Sequence, residues 1–156
     1  MKQRINVVEK GMAAMKSMYA MGIYLSKSKV ERPLLELIYY RVSQINGCAY
    51  CLDMHTKDLR DIGESEQRLY VLPAWREAPF YSDRERAALA WAEALTKLEG
   101  RAVSDEIYDA AIGQFGEEEL IDLTLAVITI NSYNRVNLAF PNVAAVGTYR
   151  PGVHAV

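Results

Sequence analysis

Along this chain, apolar residues recur every three to four positions, the period of an amphipathic helix. No alternating run long enough for a useful strand interrupts them. Ile5, Val8, Met12, Met15, Tyr19 and Ile23 form a first stripe, with Glu9, Lys10 and Lys16 off it. Its methionines read as adaptable packing for a core or a subunit interface. Pro33 suits the first turn of a second helix, which carries Leu34, Leu35, Leu37, Ile38, Val42 and Ile45. Asn46-Gly47 stops it. A third helix starts at about Cys48 and runs to Gly63. From Ser65 a short helical piece carries Leu69, Tyr70, Leu72 and Trp75 and ends before Pro79.

Ser82-Asp-Arg-Glu85 matches a capping box and opens a helix through Leu98, with Leu89, Trp91, Ala92 and Leu95 for burial and Gly100 as its stop. Ser104 caps the next helix, which bears Ile107, Tyr108, Ala111 and Ile112. Glu117 to Glu119 place acid at the positive end of a last long helix. That helix is apolar nearly all round from Leu120 to Ile130, which predicts the buried centre of the fold. The expectation is all-α: one domain over residues 1–156, a bundle of six or seven helices. Its core covers roughly residues 30–140, and residues 142–156 form an extended or frayed C-terminal arm. His154, in that arm, is given no role.

The length, 156 residues, suffices for one well-buried core. A formal charge of −2 and no dense Lys/Arg cluster exclude a nucleic-acid surface. No apolar run reaches bilayer length, because Asp122 and Asn131 bracket the longest one. Glu9, Lys10 and Lys16 break up what a secretory signal would need. We therefore expect a cytoplasmic protein, away from membranes. In such a compartment a Cys-x-x-Cys pair points to catalysis or metal binding rather than a structural disulfide.

That pair is the chemical centre of the sequence. The chain has two cysteines, Cys48 and Cys51, and His55 follows four positions after the second. Spacings of three and four put side chains on one helical face. The thiols can reach disulfide distance there, and the imidazole can lie beside the second sulfur. A helix N-terminus favours the thiolate, and an imidazole can accept or return its proton near neutral pH. If the second and third helices form an antiparallel hairpin about Gly47, Glu36 and His55 sit roughly 16 and 12 Å from the turn, within one helical turn of the same level. The Glu36 carboxylate can then orient the imidazole or stabilise its charged form. Tyr50 offers a hydroxyl to the same relay, or an exposed ring. Zinc sites use the same cysteine spacing, and Cys48, Cys51, His55 and Glu36 make an arithmetically complete ligand set. Redox chemistry, metal binding and inert burial all stay open on residues alone.

The spacing of Glu36, Cys48-x-x-Cys51 and His55 resembles the signature of the alkyl hydroperoxidase D (AhpD) core family, in the all-helical carboxymuconolactone decarboxylase-like superfamily. Ser43 to His55, Glu85 to Glu93 and Ile130 to Arg135 are worded like its members, so the likeness covers roughly residues 30–140. The decarboxylases proper of that superfamily lack the paired cysteines. The resemblance implies that Cys48 and Cys51 are a redox pair, with Glu36 and His55 in a proton relay. It also implies a homo-oligomer, trimer or hexamer. One departure is that Tyr50 stands where well-known members carry a histidine between the cysteines.

Residues and resemblance together lead us to expect a thiol-dependent peroxidase acting on organic hydroperoxides, with no cofactor and no metal. Cys51 would attack and Cys48 resolve; the opposite order has its own physical case, because Cys48 is nearer the helix N-terminus. A dithiol donor, a lipoyl protein or a peroxiredoxin-type partner, would reset the pair. The alternatives are a thiol–disulfide oxidoreductase acting on a protein or lipoyl partner, and a non-catalytic metal-binding module. Asn131 and Asn134 read as helix-end hydrogen-bonders rather than site residues.

Overall fold

The helices that open on Ser65, Ser82 and Ser104 start where those caps place them. The structure is a computed structural model that describes residues 4–99, 102–141 and 145–152. It contains α1 (Val7–Leu25), α2 (Arg32–Asn46), α3 (Ala49–Asp61), α4 (Glu66–Val71), α5 (Asp83–Lys97), α6 (Asp105–Gln114) and α7 (Glu117–Ala139), with a 3₁₀ turn over Leu72–Ala74 after α4. Among the described residues there is no strand, so the all-α expectation of six or seven helices holds. Nor is any of their helices long and apolar enough to cross a membrane.

The side chains of Ser65, Ser82 and Ser104 accept from the third backbone N–H that follows each. Glu85 completes the capping box by accepting from the Ser82 N–H. Gly47 ends α2 in the left-handed conformation (φ 68°), where a Cβ would be strained, and this lets the chain reverse directly into α3. The predicted stop at Gly100 falls outside the described residues; α5 ends at Lys97, with Leu98 at φ 49°.

Helix α2 is the centre of the bundle, packing against α3, α5 and α7. Leu34, Leu35, Leu37, Ile38 and Val42 are buried in one core with Leu59, Leu72, Leu89, Phe115, Leu123 and Val127. Two polar clusters fasten this core. Glu93 lies inside it with 5% of its side chain exposed, and accepts from Arg41, Arg76 and the Trp75 ring N–H. Asn46 at the end of α2 donates to Asn131 and Asn134 of α7, while Asn134 donates to Ser43 and Asn131 to Thr96. Asn131 and Asn134 therefore act as interhelical fasteners.

Two packing expectations are corrected. Helix α7 buries Leu120, Leu123, Ala126, Val127 and Ile130, but Ile121 and Ile128 are 60% and 52% exposed. Its neighbours cover one side of the helix only, so all-round apolarity does not make it the centre. Ile5, just before α1, and Val8, Met12 and Ile23 in it are exposed. Of the predicted stripe Met15 is buried and Tyr19 half-buried, and the packed face turns from there toward Val7, Gly11, Met18, Gly22 and Leu25. Gly11 leaves helical geometry (φ −122°, ψ 16°), kinking α1 at the residue with the least steric constraint.

Glu93 gives a stability test. Burial pushes its carboxyl up, but hydrogen bonds from Arg76, Trp75 and Arg41 outweigh that and hold it below its ordinary value. Glu93→Ala leaves the nearly buried Arg41 guanidinium without its carboxylate and is expected to lower stability by about 3–5 kcal/mol near pH 7 in urea unfolding. A depressed carboxyl stabilises above its unfolded pKa, about 4.3, and loses that effect as pH falls through the folded value. The gap between wild type and variant should therefore narrow in acid.

Candidate active site

The α2–α3 hairpin assembles the site from its turn outward. Cys48 sits at the N-cap of α3 in extended conformation, and its sulfur accepts from the Cys51 N–H at 3.4 Å. The two cysteines are joined as a disulfide, their Cα atoms 5.4 Å apart. Both are 1% exposed. One turn further along α3, His55 is buried, and its Nδ1 lies 2.7 Å from Glu36 Oε2 on α2. The antiparallel hairpin thus brings the carboxylate and imidazole to one level. A carboxylate only accepts, so Nδ1 carries the proton. Nε2 is then the basic nitrogen of the neutral ring, and it is buried without a partner among the described residues. Tyr39 packs its ring against the imidazole, with centroids 5.2 Å apart.

Three residues that the sequence analysis did not assign also lie here. Asp58 is buried, and its carboxylate, a Glu36 carboxylate oxygen and a His55 ring nitrogen lie within 4.8 Å of one another. The Tyr149 hydroxyl, from the C-terminal arm, is 2.8 and 3.0 Å from the two Asp58 oxygens. Asn137 of α7 donates to Cys51 Sγ at 3.3 Å. Asp58 continues the register of Cys48, Cys51 and His55, so helical spacing could have found it. Asn137 stands three residues beyond Asn134, a weaker signal. Tyr149 had none. The arm, expected to be extended or frayed, is docked over its described residues 145–152: Gly147 N–H donates to Asp53, and Lys57 donates to the Tyr149 carbonyl. His154 lies outside the described residues.

The site opens onto a cavity of about 740 Å³ between α1, α2, α3, α7 and the arm, lined by Cys51 and His55 but not Cys48. Met15, Leu35, Tyr39, Ile130, Tyr133 and Val136 make much of its wall apolar. Tyr50 lines it too, but makes no hydrogen bond to Glu36 or His55 among the described residues. Burial pushes its phenol above the ordinary value, and the charges of Asp53 and Asp58 add to this. The zinc arithmetic is not realised as one cluster: the sulfurs pair with each other, and two carboxylates converge on His55.

The family model for carboxymuconolactone decarboxylases matches residues 10–94, a segment that contains Glu36, Cys48, Cys51 and His55. The chain belongs to the carboxymuconolactone decarboxylase family. Within that family it is AhpD-like, as the solved structures indicate. A crystal structure from Agrobacterium tumefaciens, of unknown function and named as a proposed antioxidant defence protein AhpD, superposes with a TM-score of 0.86 and 38% identity, covering 90% of this chain and 97% of that one. The uncharacterized protein YdfG of Bacillus subtilis (strain 168) is 46% identical over 93% of this chain and 99% of its own. The debrominase Bmp8 shares the fold at a TM-score of 0.74 and 20% identity, covering 85% of this chain and 71% of that one.

The Asn137 contact can be tested in the reduced protein. A donor to sulfur favours the thiolate, and hydrogen bonds to charged groups are worth about 1.5–3 kcal/mol. Asn137→Ala is expected to move the midpoint of iodoacetamide alkylation upward by about one pH unit. An unchanged midpoint would make the contact one of packing only.

Proposed function

We propose that this AhpD-like chain is a thiol-dependent peroxidase that reduces organic hydroperoxides. The observation that carries this reading is the Cys48–Cys51 pair at the head of α3, with His55 held by Glu36 and Cys51 on the wall of an apolar cavity. His55 Nε2 takes the Cys51 proton. The thiolate attacks the O–O bond, and the leaving alkoxide regains that proton as the alcohol while Cys51 becomes a sulfenic acid. Cys48 then displaces water from this sulfur, forming the disulfide, and a dithiol donor returns two electrons. Cys51 is the attacking thiol in this scheme because it, and not Cys48, meets the cavity.

Burial of both sulfurs favours a small or slender reactant over a folded protein disulfide. The donor that fits best is a lipoyl-type dithiol on a flexible arm; a peroxiredoxin-type partner would need the arm or α1 to move. The exposed apolar residues of α1 and α7 fit burial in a homo-oligomer, trimer or hexamer, and a reducing cytoplasm suits a cycling thiol pair.

The test is consumption of cumene hydroperoxide by reduced protein in chelator, with thiols counted before and after. Two thiols per chain are expected to disappear for each peroxide consumed. Cys51→Ser is expected to abolish turnover, and His55→Ala to slow it by about 10²-fold or more. Thiols that survive peroxide but exchange rapidly with oxidised lipoamide would make the protein a thiol–disulfide oxidoreductase instead. Thiols that react only after metal is stripped would make it a metal-binding module.

A further inference from the structure

Cys51, His55 and Asp58 stand at i, i+4 and i+7 of α3, on one face of one helix. The imidazole therefore lies between the sulfur and a second buried carboxylate. At 1.5 Å per residue, Asp58 is roughly 10 Å along the axis from Cys51 but only about one turn from His55. Its charge acts strongly on the ring and weakly on the sulfur. The described arm supplies Asp58 with its hydroxyl donor, Tyr149.

We propose that Tyr149 and Asp58 form a positioning pair for the thiol–imidazole couple, the arm's phenol holding the Asp58 carboxylate where its charge favours transfer of the Cys51 proton to His55. The pair rests on the reading that Cys51 and His55 react together. The transfer itself balances simply: the S–H bond breaks, a bond from hydrogen to Nε2 forms, and the Nδ1 proton stays on the ring, donated to Glu36. Without the phenol, a buried carboxylate beside Glu36 holds its own proton more readily, and the charge beside His55 is lost.

The surrounding groups leave that role to the carboxylates. Arg32, Glu36 and Tyr39 face the cluster from α2, Tyr50 from α3 and Tyr133 from α7. Burial keeps the phenols of Tyr39, Tyr50 and Tyr133 neutral across the working range. Burial also pushes the Asp58 carboxyl above its ordinary value; the Tyr149 hydrogen bond pulls against that, and the Glu36 charge adds to it. The Tyr149 hydrogen bond is first among the influences that pull it back, ahead of the charges of His55 and Arg32.

The experiment measures iodoacetamide alkylation against pH in the reduced full chain, for wild type, Tyr149→Phe, Asp58→Asn and the double variant, with thermal unfolding in parallel. Asp58→Asn is expected to raise the alkylation midpoint by about one unit. Tyr149→Phe should raise it by less, and the double variant should match Asp58→Asn. A wild-type midpoint in Tyr149→Phe, or full additivity in the double variant, overturns the pair. Lys57→Met cuts another anchor of the arm without touching Asp58. If Asp58→Asn does not fold, a shift in Tyr149→Phe but not in Lys57→Met supports the proposal, and equal shifts overturn it. Because alkylation needs no hydroperoxide, a shifted midpoint without turnover keeps the pair and rejects the peroxidase. Turnover with an unmoved midpoint does the reverse.

Discussion

The 2.7 Å contact between Glu36 and His55 is the interaction around which the site is arranged. It joins two helices that a single glycine turn makes antiparallel, and it chooses the tautomer of the ring. With Nδ1–H given to the carboxylate, the nitrogen left for chemistry is Nε2. Every other group at the site acts through that choice. Tyr39 packs one side of the ring, Asp58 adds a second carboxylate beside it, and Cys51 stands one turn back along α3.

Burial makes that arrangement demanding. His55, Asp58 and both cysteines are nearly excluded from water, and a buried polar group is stable only where its partners are already in place. The core around the hairpin is held by polar fasteners rather than apolar packing alone. Asn46, Asn131, Asn134 and Ser43 tie the end of α2 to α7 close to the turn, Thr96 ties α5 to the same Asn131, and Asn137 continues from them to the Cys51 sulfur. The same run of asparagines thus fastens the hairpin and reaches the cysteine pair. Such a scaffold suits a reaction in which two sulfurs must approach each other without rearranging their surroundings.

The fold itself does not choose the reaction. A debrominase shares this architecture at low identity, and the family takes its description from decarboxylases. What separates the readings is local chemistry: the cysteine pair, the histidine one turn on, and the cavity that one sulfur faces. A reaction that used no thiol would have no need to bury two of them at the head of a helix.

Much of this was legible in the sequence, because the signals are short-range. Caps, glycine stops and three-to-four spacing act within a few residues, so Ser65, Ser82, Ser104 and Gly47 mark element ends without knowledge of the rest. The level of Glu36 and His55 followed from helical rise once the hairpin was assumed. The rest depended on contacts between distant segments. The sequence did not reveal which side of α7 lacks a neighbour, or that the packed face of α1 keeps Met15 but turns toward Gly11 and Gly22 and leaves Val8, Met12 and Ile23 exposed. Both depend on which helices arrive to cover a face. Nor could it bring Tyr149 back across about ninety residues to Asp58, because nothing local encodes where an arm docks. Local periodicity determined the helices and put the cysteine pair and His55 on one face of one of them. Helical spacing already put Asp58 on their face, while tertiary packing alone decided the cavity and the phenol that holds that second carboxylate.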